Sequence, residues 1–428
     1  MGVAQAKLDA LATRIAGLSF PVEGWHGAAR ADALARLSAM GLPGKRDEYW
    51  RYTDPAALIS AHTDPAALFD YADETMVFSG IDRLKFVFVD GVFDAAQSDD
   101  PALAGVEIVR LSQAGDADIE WARDVYGVLE TRGQNPVQRP LAALATAFAT
   151  EGVLIRVTGR PSKPVSLIYR QESDTSDVIF HHCIKVEAGA EITLLENGPA
   201  AARFTSVMEV DVAQGGRFHH IRAQGRAHQR RAATHVFARL AAKALFKSFT
   251  LTVNGALTRN DAVIELLGDD AVAHVAGAGV GDGAFHHDDT VFVSHQGQRC
   301  ESRQVFKKVL KNGAVGVFQG KILVKAGAQK TDGYQISQAL LLDEDSQFLA
   351  KPELEIYADD VKCSHGSTSG AIDDVALFYL RSRGVPLKAA QSLLVLAFLA
   401  EALGEIEDEA IAEDIRSRLE GWLARHER

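Results

Sequence analysis

The chain has 428 residues, 47% apolar and 24% charged, with 45 Lys/Arg against 57 Asp/Glu and a net charge of −12. Such a chain is long enough for two or three domains, and its composition excludes a disordered, collagen-like or coiled-coil protein. The acidic balance argues against a nucleic-acid partner. Three scattered cysteines, Cys183, Cys300 and Cys363, exclude a disulfide framework or a CxxC-type zinc site and fit a reducing cytoplasm.

Residues 1–150 read as mostly helical. Met1–Phe20 has charges and no apolar h-region, so no secretory signal is expected. Leu8, Leu11, Ile15 and Leu18 mark one helix face, and Leu34, Leu37 and Met40 another, stopped by Gly41 and Pro43. Thr-Asp-Pro-Ala-Ala-Leu occurs at 53–58 and again at 63–68. Asp before Pro caps and opens a helix, so two helix starts are predicted. Phe86–Phe93 reads as a hairpin turning on Asp90-Gly91. Leu141, Leu144, Ala145 and Phe148 mark a further helix.

From about 151 to 370 the helical period fades. Short strands are predicted at Val153–Val157, Val165–Tyr169, Ile192–Leu195, Val207–Val212, Phe249–Val253, Val291–Val293, Val315–Phe318 and Leu354–Tyr357. A glycine corner recurs without fixed period at Val186–Ala190, Val212–Gly216, Leu310–Ala314 and Val324–Ala328. A sandwich, a barrel and a parallel β-helix all fit this pattern. Over 371–428 helices return. Asp373 or Asp374 caps one that ends at Gly384 and Pro386. Leu387–Leu403 is apolar nearly all round, which calls for burial in a bundle or against a partner. Its strongly apolar stretch, Leu393–Ala400, is too short to span a membrane. Ile411, Ile415, Leu419, Trp422 and Leu423 form the stripe of a last helix.

No P-loop is present, so ATP binding through one is not expected. Gly279-Val-Gly281 precedes a strand instead of a helix, and Gly366–Gly370 has Thr368 where a nucleophile elbow needs serine. The pairs His181-His182, His219-His220 and His286-His287 place one imidazole on each strand face. His287, Asp289 and His295 share a face and could offer iron or zinc ligands; the plainer reading is a packed polar ladder. Residues 212–260 hold nine Lys/Arg and no acid, which reads as a solvated face or a surface for an acidic partner. The sharpest cluster is Asp359–Thr368. Cys363 and His365 lie two apart on a predicted strand, where a thiol beside an imidazole can bind a soft metal or sulfur. Two ligands do not complete a coordination sphere, so a second chain or cluster sulfide is needed.

Lys351–Gly366 (KPELEIYADDVKCSHG), Ile372-Asp-Asp374 and Leu377–Gly384 (LFYLRSRG) resemble the SufD family of iron–sulfur cluster assembly proteins in the SufB/SufD superfamily. Gly316–Gly320, Ala328–Asp332, Gln335, Leu340–Leu342 and Glu48–Thr53 (EYWRYT) extend the resemblance over most of the chain. The resemblance implies a mainly β fold, with a right-handed parallel β-helix core over 151–370. Helical regions flank it, 1–150 with the hairpin and 371–428. At about 26 residues per turn the core makes roughly eight turns. It also implies a cytoplasmic scaffold without enzymatic activity. The scaffold pairs with SufB through the β-helix and docks the ATPase SufC on the C-terminal helices. Sulfur comes from a cysteine desulfurase and its sulfur-transfer partner. His365, and Cys363 with weaker support, are the implied metal positions, holding iron or a transient Fe–S cluster at the SufB interface. No cofactor is expected to stay on the isolated chain, and nothing in the motifs speaks for or against a flavin. The alternatives are a SufB-like subunit that holds the cluster itself, or a carbohydrate-active β-helix enzyme, for which no paired carboxylates stand out.

Overall fold

In a computed structural model, residues 3–21, 24–68, 75–114, 119–225 and 228–426 are described. Helices α1 (Val3–Ile15) and α2 (Gly27–Met40) lead to a 3-10 turn at Glu48–Trp50 and the short α3 (Ala56–Ile59). Strands β1 (Leu84–Val89) and β2 (Val92–Phe93) form the expected hairpin, with Asp90 and Gly91 both at positive φ. Then come β3 (Val106–Arg110), α4 (Glu120–Arg123), α5 (Val128–Arg132) and α6 (Pro140–Phe148).

The chain next winds a parallel solenoid of about seven turns. Its even strands are β4 (Val153–Val157), β6 (Asp177–Val186), β8 (Arg203–Val212), β10 (Arg231–Leu240), β12 (Leu257–Leu266), β14 (His286–His295), β16 (Val315–Val324) and β18 (Gln347–Ile356). Between them run β5 (Val165–Arg170), β7 (Glu191–Asn197), β9 (Arg217–Gln224), β11 (Leu245–Val253), β13 (Val272–Asp282), β15 (Glu301–Lys311), β17 (Asp332–Leu341) and β19 (Lys362–Gly370). Even strands stack into one sheet and odd strands into the other, each in parallel with the strand two places on. Helices α7 (Asp374–Ser382), α8 (Leu387–Leu403) and α9 (Glu409–His426) close the chain. Asp373 caps α7, accepting from the N–H groups of Val375 and Ala376.

Three cores follow from this winding. Inside the solenoid, Phe180 meets Phe204 at 5.6 Å, Phe218 meets Phe246 at 5.5 Å and Phe306 meets Phe318 at 4.9 Å. Outside the even sheet, Ile179, Val207 and Phe237 pack under α6, every residue of which is buried. Outside the odd sheet, Phe249, Leu251 and Val253 pack against Val395 and Leu399 of α8 and the α9 stripe. Each such large side chain contributes about 1.5–3 kcal/mol by leaving water. The period-two run at 248–253 thus buries its apolar face beneath helices, not inside the solenoid.

One corner of six successive coils is held by a left-handed residue: Gly189, Gly215, Lys243, Asp270, Arg299 and Lys330, with φ between 56° and 71°. Each donates its N–H to a carbonyl of the next coil, in order Gln214, Ala242, Asp269, Gln298, Gln329 and Asp360. Two of the four predicted glycines, Gly189 and Gly215, sit in this column. Gly313, at φ 82°, belongs to the opposite corner, between β15 and β16. Gly327 is not left-handed; Lys330 takes that position.

The first Thr-Asp-Pro-Ala-Ala-Leu opens α3, with Asp54 accepting from the Ala56 N–H. The second does not start a helix, and this expectation is corrected. Its Ala66 N–H goes to the Asp174 carbonyl and its Ala67 N–H to Gln229 Oε1, so solenoid partners take the donors a first turn would use. Both sheets also reach back before residue 151, because β1 pairs with β5 and β3 with β4.

Candidate functional site

At the far end of the solenoid β18 is the last strand of the even sheet and β19 the last of the odd sheet. One edge of each therefore presents backbone N–H and C=O groups without a ladder partner among the described residues. Pro352, a residue without an N–H, sits in β18, in a terminal strand where a sheet tolerates it.

Cys363 and His365 share the inward face of β19. Cys363 stands opposite Gly333 and packs beside Ile322, Val324 and Ala358. A Cβ on residue 333 would come within 3.2 Å of its sulfur, so glycine there makes room for the thiol. Burial pushes the Cys363 thiol above its ordinary value, and Asp332 adds to this against the Gly333 backbone. The thiol therefore keeps its proton at neutral pH until a metal or base takes it. His365 stands opposite Gln335 and is exposed, because no further coil covers it. Gln335 beneath it is buried and donates to Gln304 Oε1 at 2.8 Å. An imidazole and a thiol are side chains of the kind that soft metals accept as ligands, and here both stand at the rim of an open coil.

The histidine pairs do split across the sheets. His182 and His220 point inward, with His220 Nε2 2.6 Å from Glu196 and His182 3.2 Å from the Tyr169 hydroxyl. His181, His219 and His286 point outward, to Glu209, Glu407 and Thr53. His287, Asp289 and His295 do not converge. Asp289 is bridged by His287 at 3.0 Å and the Lys308 ammonium at 2.8 Å, which fills the place of a metal. His295 lies at the other end of β14, bonded to Ser302 at 2.8 Å. These residues form a packed polar ladder.

Apart from the exposed Lys243, the described basic side chains of 212–260 are buried or partnered, so the stretch is not a solvated face or a free docking surface. Arg222, Arg230 and Arg259 are buried, on Glu196, on backbone carbonyls including Asn254 and on Asp288. Arg239 pairs with Asp211 at 2.8 Å. Lys247 and Arg217 hold Glu407, between α8 and α9, at 2.7 and 3.4 Å. Arg226 lies outside the described residues.

A second convergent group escaped the sequence reading. Ligand atoms of His181, Cys183 and Glu209 lie within 4.8 Å of one another, all buried. His181 and Cys183 repeat the spacing of Cys363 and His365, but Glu209 reaches them only because one coil places it beside Cys183. Burial raises the Glu209 carboxyl to about 7 against the N–H groups of Glu130, Gly127 and Leu129. The 2.6 Å from His181 Nε2 to Glu209 is a hydrogen bond. It is too close for two donors about 2.1 Å from one tetrahedral ion. The group ties α5 to the sheet.

A second surface lies on the C-terminal helices. Val375, Phe378 and Tyr379 of α7 are 77%, 73% and 56% exposed, and Leu393 of α8 is 50% exposed. Helix α8 therefore covers the odd sheet with one face and leaves part of its apolar circumference uncovered.

The parallel solenoid between helical flanks, with a thiol and an imidazole on its open rim, defines the class of protein as a β-solenoid with one end left open. The description "SUF system FeS cluster assembly, SufBD core domain" matches residues 169–398, more than half of the chain, and the chain belongs to that family, on its SufD side. It is 28% identical over 396 residues to the iron–sulfur cluster assembly protein SufD of Escherichia coli, covering 90% of each chain. It is 27% identical over 294 residues to SufD of Bacillus subtilis, covering 66% of this chain and 67% of that one. Identity to a SufBD family protein of Synechocystis is 26% over 413 residues, 88% and 86% of the two chains. A role in iron–sulfur cluster assembly by the SUF system goes with that family. No helix among the described residues is long and apolar enough to cross a membrane.

Proposed function

We propose that this chain is a non-enzymatic scaffold of a cytoplasmic SUF complex. It pairs through the β18 and β19 edges with a SufB-type subunit and docks a SufC-type ATPase on α7 and α8. His365, supported by Cys363, faces the partner and helps hold iron or the nascent cluster, which is cargo and not a resident cofactor. The observation that carries this reading is the pair of unpaired sheet edges at the same end as the exposed imidazole. Strand addition satisfies such edges with backbone hydrogen bonds, and neighbouring side chains then set specificity. The exposed apolar residues of α7 and α8 support the second docking surface.

Co-expression with untagged SufB and SufC is the test. The wild-type chain should retain both. Removal of 371–428 should lose SufC and keep SufB. Retention of SufC by the shortened chain rejects the helix assignment, and failure to retain SufB rejects the edge. Iron and sulfide bound in stoichiometric amounts by the isolated, anaerobically reconstituted chain would favour a cluster-holding subunit instead.

A further inference from the structure

The Glu48–Thr53 segment, prominent in the sequence, has no part in the function above. Its 3-10 turn lies on the outer face of the even sheet, over the coils nearest the open end. The Tyr49 carbonyl accepts from Arg259 Nη1 on β12 at 2.9 Å and from Gln319 Nε2 on β16 at 3.1 Å. Thr53 Oγ1 donates to Asp288 on β14 at 2.6 Å, and the Tyr49 ring meets Phe292 of β14 edge-on at 5.1 Å. The Tyr49 hydroxyl donates to Glu353 Oε2 on β18 at 2.5 Å. Lys351, also on β18, reaches Glu48 Oε1 at 2.6 Å and lies 4.0 Å over the Tyr49 ring. Glu48, Tyr49 and Thr53 thus touch four successive strands of one sheet, and the last grip falls on the strand with the free edge. That strand needs holding: it pairs on one side only, with β16, and none of its ten residues is fully buried.

We infer that Glu48–Thr53 is a brace that keeps β18 flat and in register for the addition of a partner chain, with Tyr49 and Glu48 as its positioning residues. The inference rests on the docking reading above. A strand already ordered loses little conformational entropy when a neighbour adds to it, so the brace raises affinity without touching the partner.

Hydrogen–deuterium exchange on the full chain tests this with Tyr49→Phe, Lys351→Met and Glu353→Gln. The first two should exchange at least tenfold faster over 347–356, with 315–324 unchanged. Glu353→Gln keeps an acceptor for the tyrosine and should exchange as wild type. Titrated against the SufB subunit, Tyr49→Phe and Lys351→Met should bind about tenfold more weakly and Glu353→Gln normally. Unchanged exchange in the first two variants overturns the brace. Faster exchange with unchanged affinity overturns its link to docking. If the wild-type chain itself does not bind SufB, the docking reading fails and the inference falls with it.

Discussion

The two ends of the solenoid solve the same problem in opposite ways. At the start, β3 runs antiparallel beside β4, and the β1–β2 hairpin extends the odd sheet beyond β5. The interior there is sealed by aromatic rings, with Phe88 5.1 Å from Phe180. At the finish, β18 and β19 have no such neighbours, and β19 is mostly serine, threonine, glycine and histidine with an exposed surface. A stacked parallel sheet always has two ends to protect. The residues before 151 close one of them; among the described residues the other stays open, which is the ground for the docking proposed there.

The comparison can be broken in four ways. The largest effect belongs to the closed end. Phe180→Ala should lower unfolding free energy by about 3–5 kcal/mol, while Phe348→Ala in half-covered β18 should cost about 1 kcal/mol, both read by urea titration. Equal costs would mean the open end is packed as firmly as the closed one. Next, Ser364→Lys places a charge on the exposed edge strand. SufB retention should fall at least tenfold with an unchanged melting temperature, since lysine blocks strand addition without disturbing the fold.

Third, His365→Ala should leave the complex assembled and equally stable but poor in iron, measured per folded complex. Cys363→Ser should show the weaker form of this loss, because a hydroxyl keeps the size and loses the thiolate. Normal iron in both variants and in the double variant would remove the site. The smallest effect concerns the hairpin of α8 and α9. Burial works to raise the Glu405 carboxyl, but the His274 hydrogen bond at 2.8 Å and the Arg303 charge hold it below its ordinary value. Its ionised form therefore stabilises the docked hairpin at neutral pH. That contribution, about 1 kcal/mol, fades as the pH falls below the ordinary 4.5. Glu405→Gln should flatten this acid dependence of the hairpin's amide protection, and an unchanged slope would refute this role of Glu405.

Much of this architecture is legible in the residues. The β runs, the Asp90-Gly91 hairpin and the C-terminal helices follow from period and capping, because each is a local pattern. That Cys363 and His365 share one face of a strand is legible from their spacing alone. What is illegible depends on contacts one coil away. The corner column begins with Gly189 and Gly215 but continues with Lys243, Asp270, Arg299 and Lys330, so a search for glycine loses it after two coils. The irregular glycine spacing arises because Gly313 and Gly327 sit on different corners of the coil. In 212–260, Arg222 and Arg259 find acids on neighbouring coils, Arg230 finds backbone carbonyls, and Lys247 and Arg217 find Glu407 in the α8–α9 turn, all out of reach of a local charge count. Glu209 joins His181 and Cys183 by the same route. The second Thr-Asp-Pro-Ala-Ala-Leu carries the signal that starts α3, and long-range bonds to Asp174 and Gln229 override it.

The left-handed corner also decides how such a chain can grow. Its residues form the spine of a bound book: Gly189 and Gly215 are 26 positions apart, Arg299 and Lys330 are 31 apart, yet both steps close with the same N–H to carbonyl bond. The extra residues enter β15, eleven long against seven in β7, and the run before the left-handed residue, five between β16 and Lys330 against two between β8 and Gly215. Pages of unequal width are thus bound into one volume by the same stitch. Successive coils are free to diverge in length as long as the residue that donates this bond keeps its place.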